Sequence, residues 1–254
     1  MQTDLAINAA SDPSSPAAHG SAALTRIRLW DLPLRIFHWS LAVAVSTAIV
    51  TGEIGASQMA LHAKAGMTII GLLVFRLIWG VIGSTHARFL SFVPSPSTVK
   101  SYLKGHWRGV GHNPLGALSV FALLGLLAVQ AGTGLFSNDD IDFFGPLFNL
   151  VDQAWSNRLT GVHMLLSYFL LALTALHIVA ILFYVSFKKD NLIKPMLTGW
   201  KEVPSGKSAS KVNLVGFVVA VLLALAAVYI VSGANWWQTP PAQAAQPASQ
   251  SSTW

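Results

Sequence analysis

Five apolar runs punctuate the chain, at about 36–56, 62–82, 114–136, 159–187 and 212–232. Each holds roughly 20 residues or more, enough for a helix rising about 1.5 Å per residue to cross about 30 Å of hydrocarbon. The pattern therefore predicts five membrane-spanning helices. Polar and helix-breaking residues separate them. Asp31-Leu32-Pro33 is a turn at the water boundary, with Pro33 suited to a helix start. The Pro94-Ser95-Pro96 cluster breaks the connection after the second run, and Val99–Leu103 beyond it reads as a short interfacial helix. Asn113-Pro114 opens the third span. Ile141–Val151, interrupted by Gly145-Pro146, is too short to span and is expected to lie on the surface. Residues 1–24 and 233–254, rich in Ala, Ser, Pro and Gln, read as disordered tails. Residues 25–202 form the main membrane domain, and 203–232 a linker with the fifth span.

Composition agrees. The 254 residues are 53% hydrophobic and 10% charged, against about 25% charged in a soluble domain. The formal charge of +6 does not indicate nucleic acid, because its distribution follows membrane topology. Thirteen of the 16 Lys and Arg residues precede the first span or lie in the connections after the second and fourth. The positive-inside rule places those segments in the cytoplasm. The connection at about 137–158 carries Asp139, Asp140, Asp142 and Asp152 against Arg158 alone. The N-terminus is therefore expected inside, and the acidic loop and C-terminus outside. Cysteine is absent, which excludes covalent haem attachment, thiolate ligation, Cys-bound iron–sulfur clusters and disulfides.

Chemistry concentrates in the histidines. His163 and His177 share the fourth run, 14 residues apart, so they project to within about 40° of one another and lie about 21 Å apart along the axis. An ionisable side chain inside a membrane is costly and marks a functional site by default. Two imidazoles at this spacing suit two stacked haems, one per leaflet. Topology places His38 near the inner end of the first span and His62 near the outer end of the second. Depth alone then pairs His38 with His177 at an inner haem and His62 with His163 at an outer one. With no cysteine, both are b-type, and bis-histidine ligation favours electron transfer over oxygen chemistry.

Arg76 follows His62 by 14 residues on the same helix face. A buried guanidinium needs an anionic partner, and haem propionates supply one at the inner level. Arg35 is placed for the same role inside, and Lys64 and Arg158 at the outer level. His112 reads first as a helix-start or interfacial residue, and second as a quinone or proton contact. His19, His86 and His106 fall in tails or loops and read as solvated. Gly66, Gly71, Gly80, Gly132 and Gly134 read as helix-packing positions, or as points of close porphyrin approach. A haem-free transporter or membrane anchor, whose histidines relay protons or bind a metal, is the alternative from another class.

Four motifs in order carry a family resemblance over about residues 25–202. They are Arg28-Leu29-Trp30-Asp31-Leu32-Pro33-Leu34-Arg35-Ile36-Phe37-His38-Trp39; Leu61-His62 with Gly66 and Phe75-Arg76-Leu77-Ile78-Trp79-Gly80; Gly111-His112-Asn113-Pro114-Leu115-Gly116-Ala117; and Gly161-Val162-His163 with Leu176-His177. Together they resemble the bacterial cytochrome b561 and nickel-hydrogenase b-type cytochrome family. The resemblance implies an all-α integral membrane protein: a four-helix bundle holding two b haems in the bacterial inner membrane. It would move electrons between quinone and a redox partner, with His38, His62, His163 and His177 as ligands. It further implies a periplasmic iron–sulfur hydrogenase subunit as partner, or other carriers for stand-alone members. The acidic loop would suit a basic periplasmic cytochrome c. The nearest alternative keeps the haems but oxidises superoxide at the periplasmic face, Lys64 and Arg158 attracting the anion and quinone taking the electrons. The fifth span lies outside the shared core.

Overall fold

A computed structural model describes residues 24–107, 109–204 and 206–233. The expected tails lie outside these residues but for Leu24 and Gly233. All five spans form as helices: α1 (Leu32–Ile54), α2 (Met59–Ile82), α4 (Pro114–Gly134), α5 (Gln153–Ser186) and α7 (Leu214–Val231), with the short helices α3 (Pro96–Leu103) and α6 (Ile193–Thr198) between them. Four of the spans are opened by a side chain accepting a first-turn N–H. Asp31 accepts from Leu34, Asn113 from Gly116, Asp152 from Trp155 and Asn213 from Gly216. These caps satisfy amide donors that the first turn cannot pair internally. α3 lies where an interfacial helix is expected, capped by Ser95.

α5 begins six residues before its apolar run. At 34 residues it is about 51 Å long, well beyond the hydrocarbon thickness. Its polar first turns reach past the apolar slab, where Ser156 donates to the Phe136 carbonyl and accepts from the Asn138 amide.

α2 is the central helix, packed on α1, α7 and α4, while α5 makes its extended packing with α4. α1 and α2 run antiparallel. Phe37 stacks on Phe75 at one end, and His62 bonds the Ala48 carbonyl toward the other. α7 is also antiparallel to α2: Gly216 lies beside Ile82, and Val228 beside Gly71. The small Gly216, Ala220 and Ala224, one turn apart and all buried, let the two helices approach closely. Two apolar clusters form the core. One joins Leu29, Trp30, Leu34, Phe37, Phe75 and Trp79 to Ala220 and Ala224; the other joins Ala44, Ile69, Leu73, Leu127 and Leu170 in the middle of the bundle. Leu, Val, Ile and Phe side chains cover the outward faces. Lipid solvates such a surface as well as it solvates itself.

One element departs from the all-helical expectation. β1 (Thr25–Arg28) pairs antiparallel with β2 (Trp200–Val203), in a register that sets Thr25 against Val203 and Arg28 against Trp200. Strand alternation turns Ile27 and Val203 into the core. The Arg26 and Arg28 guanidiniums lie over Trp200, at 4.9 and 5.5 Å from its ring centroid. The ribbon closes the end of the molecule that carries His38, here termed the basic end. The opposite, acidic end carries the 138–142 loop. There Asp139 accepts the amides of Ile141, Asp142 and Phe143, holding its carboxyl below the usual carboxylate range.

Candidate functional site

At the acidic end, α2 and α5 present His62 and His163 to each other. The ring centroids are 6.1 Å apart and the planes are nearly perpendicular, at 83°. Both rings are oriented by the main chain. Nδ1 of His62 lies 2.9 Å from the Ala48 carbonyl, and Nδ1 of His163 lies 2.9 Å from the Gln130 carbonyl. A carbonyl only accepts, so each Nδ1 donates and each Nε2 presents a lone pair. Metal-bound histidines have this tautomer and this type of orienting hydrogen bond. Gln130 agrees with it, since its amide donates to Nε2 of His163 at 3.2 Å. Thr133 Oγ1 lies 3.3 Å from Nδ1 of His163. Glycines line both rings. A Cβ at Gly134 would stand 2.9 Å from Cε1 of His163, and one at Gly52 would stand 3.3 Å from Cε1 of His62.

At the basic end, α1 carries His38 and α5 carries His177, each within electrostatic reach of the other. Nδ1 of His38 is buried without a hydrogen-bond partner among the described residues, as is Nη1 of Arg76. Arg76 is only 2% exposed, with its guanidinium 4.3 Å above the Phe89 ring. His112 is sandwiched between Trp30 and Phe92, at centroid distances of 4.6 and 4.4 Å. Burial above all, with Arg76, His86 and His38 adding positive charge, pushes its pKa down to about 3. It stands at a helix start as expected, a partly buried ring held between two aromatic faces. His86, expected in solvent, bonds the Lys207 carbonyl.

The other cations expected at the site are less engaged there. Arg35 directs its Nη groups to the carbonyls of Leu197 and Thr198, at 2.5 and 3.2 Å, where α6 ends. Lys64 and Arg158 are exposed, and Arg158 lies over Trp155. Three residues that the sequence does not assign to the site also belong to it: Asp31, read only as a turn residue, Gln130 and Thr133. The last two carry a signal, being polar positions inside an apolar run.

The donor set suits haem b. Four imidazoles stand two at each end of one long helix, and the acidic-end pair already has the metal-binding tautomer. Their 6.1 Å separation is close to two metal–nitrogen bonds of about 2 Å each plus two half-rings. Orphaned buried polar atoms at the basic end fit the same ligand, whose propionates would answer Arg76. Among the described residues no three His, Asp or Glu side chains gather as a metal cluster.

Comparison with known proteins bears on the same residues. Residues 29–199 match the family model described as prokaryotic cytochrome b561. The chain belongs to this family. Among curated relatives, the probable Ni/Fe-hydrogenase B-type cytochrome subunit of Rhizobium leguminosarum bv. viciae is 27% identical over 72% of this chain and 92% of its own. The probable Ni/Fe-hydrogenase 1 B-type cytochrome subunit of Escherichia coli K12 is 22% identical over 72% and 94%. The corresponding subunit of Azotobacter chroococcum mcd 1 is 25% identical over 70% and 89%. No solved structure matches the chain. This cytochrome b561 family member is thus a multi-pass membrane b-type cytochrome that carries electrons. The matched region includes all four candidate ligands and stops before α7.

Proposed function

We propose that the protein binds two b haems, His62 and His163 ligating one and His38 and His177 the other. It would pass electrons between the quinone pool and a redox partner of a bacterial respiratory chain. The haems would supply reversible one-electron chemistry, and the chain's own residues set where and how. Main-chain carbonyls fix the rings of His62 and His163, so the acidic-end site needs little reorganisation to bind. The Arg76 guanidinium would take a propionate at the basic end and raise the affinity of that site for an electron. Apolar walls from Ala44, Ile69, Leu73 and Leu127 would exclude water between the two levels.

The charge distribution supports a cytoplasmic basic end and a periplasmic acidic end in the inner membrane. The names of the relatives support a nickel–iron hydrogenase as the partner class. The observation that carries the proposal is the convergence of His62 and His163 from separate helices, each ring oriented by a main-chain carbonyl at Nδ1 so that Nε2 keeps the lone pair a metal needs; Gln130, which now donates to Nε2 of His163, would give way to the iron. The test is a reduced-minus-oxidised spectrum with a haem-to-protein ratio on the purified full chain. About two b haems per chain are expected; a colourless chain would return the histidines to a transporter or anchor role.

A further inference from the structure

Asp31 is 1% exposed and lies at the end of the bundle that carries His38 and His177. It stands seven residues before His38, which is two helical turns or about 10.5 Å along the axis. Both carboxylate oxygens are engaged. Oδ1 accepts the Leu34 amide at 2.7 Å, and Oδ2 accepts the Trp79 indole N–H at 3.1 Å. Trp79 is completely buried and lies one turn after Arg76 on α2, so the two share a face. The carboxylate is thereby held on the Arg76 side of the helix, within reach of its charge. Arg76 cannot move toward it freely. Its guanidinium rests on Phe89, and that ring is lodged against Gly80, where a Cβ would overlap it.

This is an unusual use of charge. A buried carboxylate and a buried guanidinium sit close enough to feel each other yet make no direct salt bridge among the described residues. Nη1 of Arg76 is left without a partner. If the carboxylate served only to neutralise the arginine, a direct bidentate contact would be the stable arrangement. Instead Trp79 holds it at one remove, leaving a guanidinium edge free while its field is partly offset.

We propose that Asp31 is a positioning residue that sets the charge at the basic-end haem, lowering its potential by offsetting Arg76. The inference rests on the haem assignment proposed above. Electron arrival adds negative charge, so Arg76 favours the reduced state and Asp31 opposes it. Within a low-dielectric bundle neither effect is screened as it would be at a surface. The effect is local: the acidic-end pair lies about 21 Å farther along the axis.

The test is a spectroscopic redox titration of the purified full chain, with haem content measured on each sample. Trp79→Phe keeps the carboxylate and removes the indole donor. The pair Asp31→Asn with Trp79→Phe removes the charge while keeping a competent cap, since Asn caps helices about as well as Asp. Relative to Trp79→Phe alone, the double variant is expected to raise the midpoint of one haem and leave the other in place. Arg76→Gln is expected to lower the midpoint of that same haem and so identifies it, and Asp31→Asn in the otherwise unchanged chain, expected to raise that midpoint, decides the matter if the double variant does not fold. Equal potentials at full haem content, or an equal shift of both haems, would overturn the role of Asp31. A wild-type chain without two haems would instead overturn the assignment beneath it.

Discussion

Gly134 is where one methyl group tests the ligand geometry most sharply. A Cβ there would stand 2.9 Å from Cε1 and 3.2 Å from Nδ1 of His163. Ordinary carbon contacts begin near about 3.5 Å, so Gly134→Ala must push the ring away from α4 by about 0.6 Å. The acceptor that orients the ring, the Gln130 carbonyl, belongs to α4 as well. The Nδ1 contact, now 2.9 Å, would therefore stretch past useful hydrogen bonding. Losing that bond costs about 0.5–1.5 kcal/mol, and orienting partners of metal-bound histidines are worth about 10- to 100-fold in affinity. Gly134 is the last residue of α4 and has no positive φ, so alanine suits its backbone and the fold is expected to survive. Gly132→Ala is the control, because nothing lies within 4 Å of its added carbon. Haem-to-protein ratios and reduced-minus-oxidised spectra of the two variants provide the assay. Gly134→Ala is expected to lose or loosen one haem of two, whereas Gly132→Ala keeps both. Full haem content and an unchanged spectrum in Gly134→Ala would show that His163 is not a ligand held by α4.

Other expectations follow from the same contacts. Gly80→Ala drives a methyl into Phe89 beneath Arg76; thermal unfolding should show a loss of about 1–3 kcal/mol, with spectral change confined to the basic-end haem. Gly71→Ala meets Cγ2 of Val228 at 2.8 Å, loosening α7 on α2, and Val228→Ala should recover most of the lost melting temperature. Desolvation holds the His112 pKa down to about 3, against the ordinary 6.5, so the unfolded chain binds the extra proton between those values. Its contribution to stability is complete above pH about 6.5 and is lost as the pH falls toward 3. In a melting series across that window, His112→Phe should weaken the acid destabilisation; an unchanged pH profile would contradict the burial argument.

Hydropathy alone locates the five spans to within a few residues, because roughly 20 apolar residues in lipid have few options besides a helix. The start of α5 escapes it, because Gln153, Ser156, Asn157 and Arg158 make its first turns largely polar and the helix continues beyond the hydrocarbon, where hydropathy is silent but the Asp152 cap is not. The β1–β2 ribbon is hidden for a different reason. Each strand has four residues, and the pairing joins positions about 175 apart, which no local pattern records. The histidine depths follow from spacing and topology. The orienting carbonyls of Ala48 and Gln130 do not, since main-chain acceptors have no sequence signature. Asp31 reads as a turn residue, and its cap role fits that reading. Its bond to Trp79, 48 residues away, depends on α2 packing against the start of α1.

Haem stoichiometry in double variants shows whether the four histidines pair into two sites. His62→Ala with His163→Ala removes both ligands of one proposed site, whereas His62→Ala with His177→Ala takes one from each. If His62 pairs with His163 and His38 with His177, the first keeps one haem per chain and the second binds none stably. The reverse order, or equal haem content in both, would rule this pairing out.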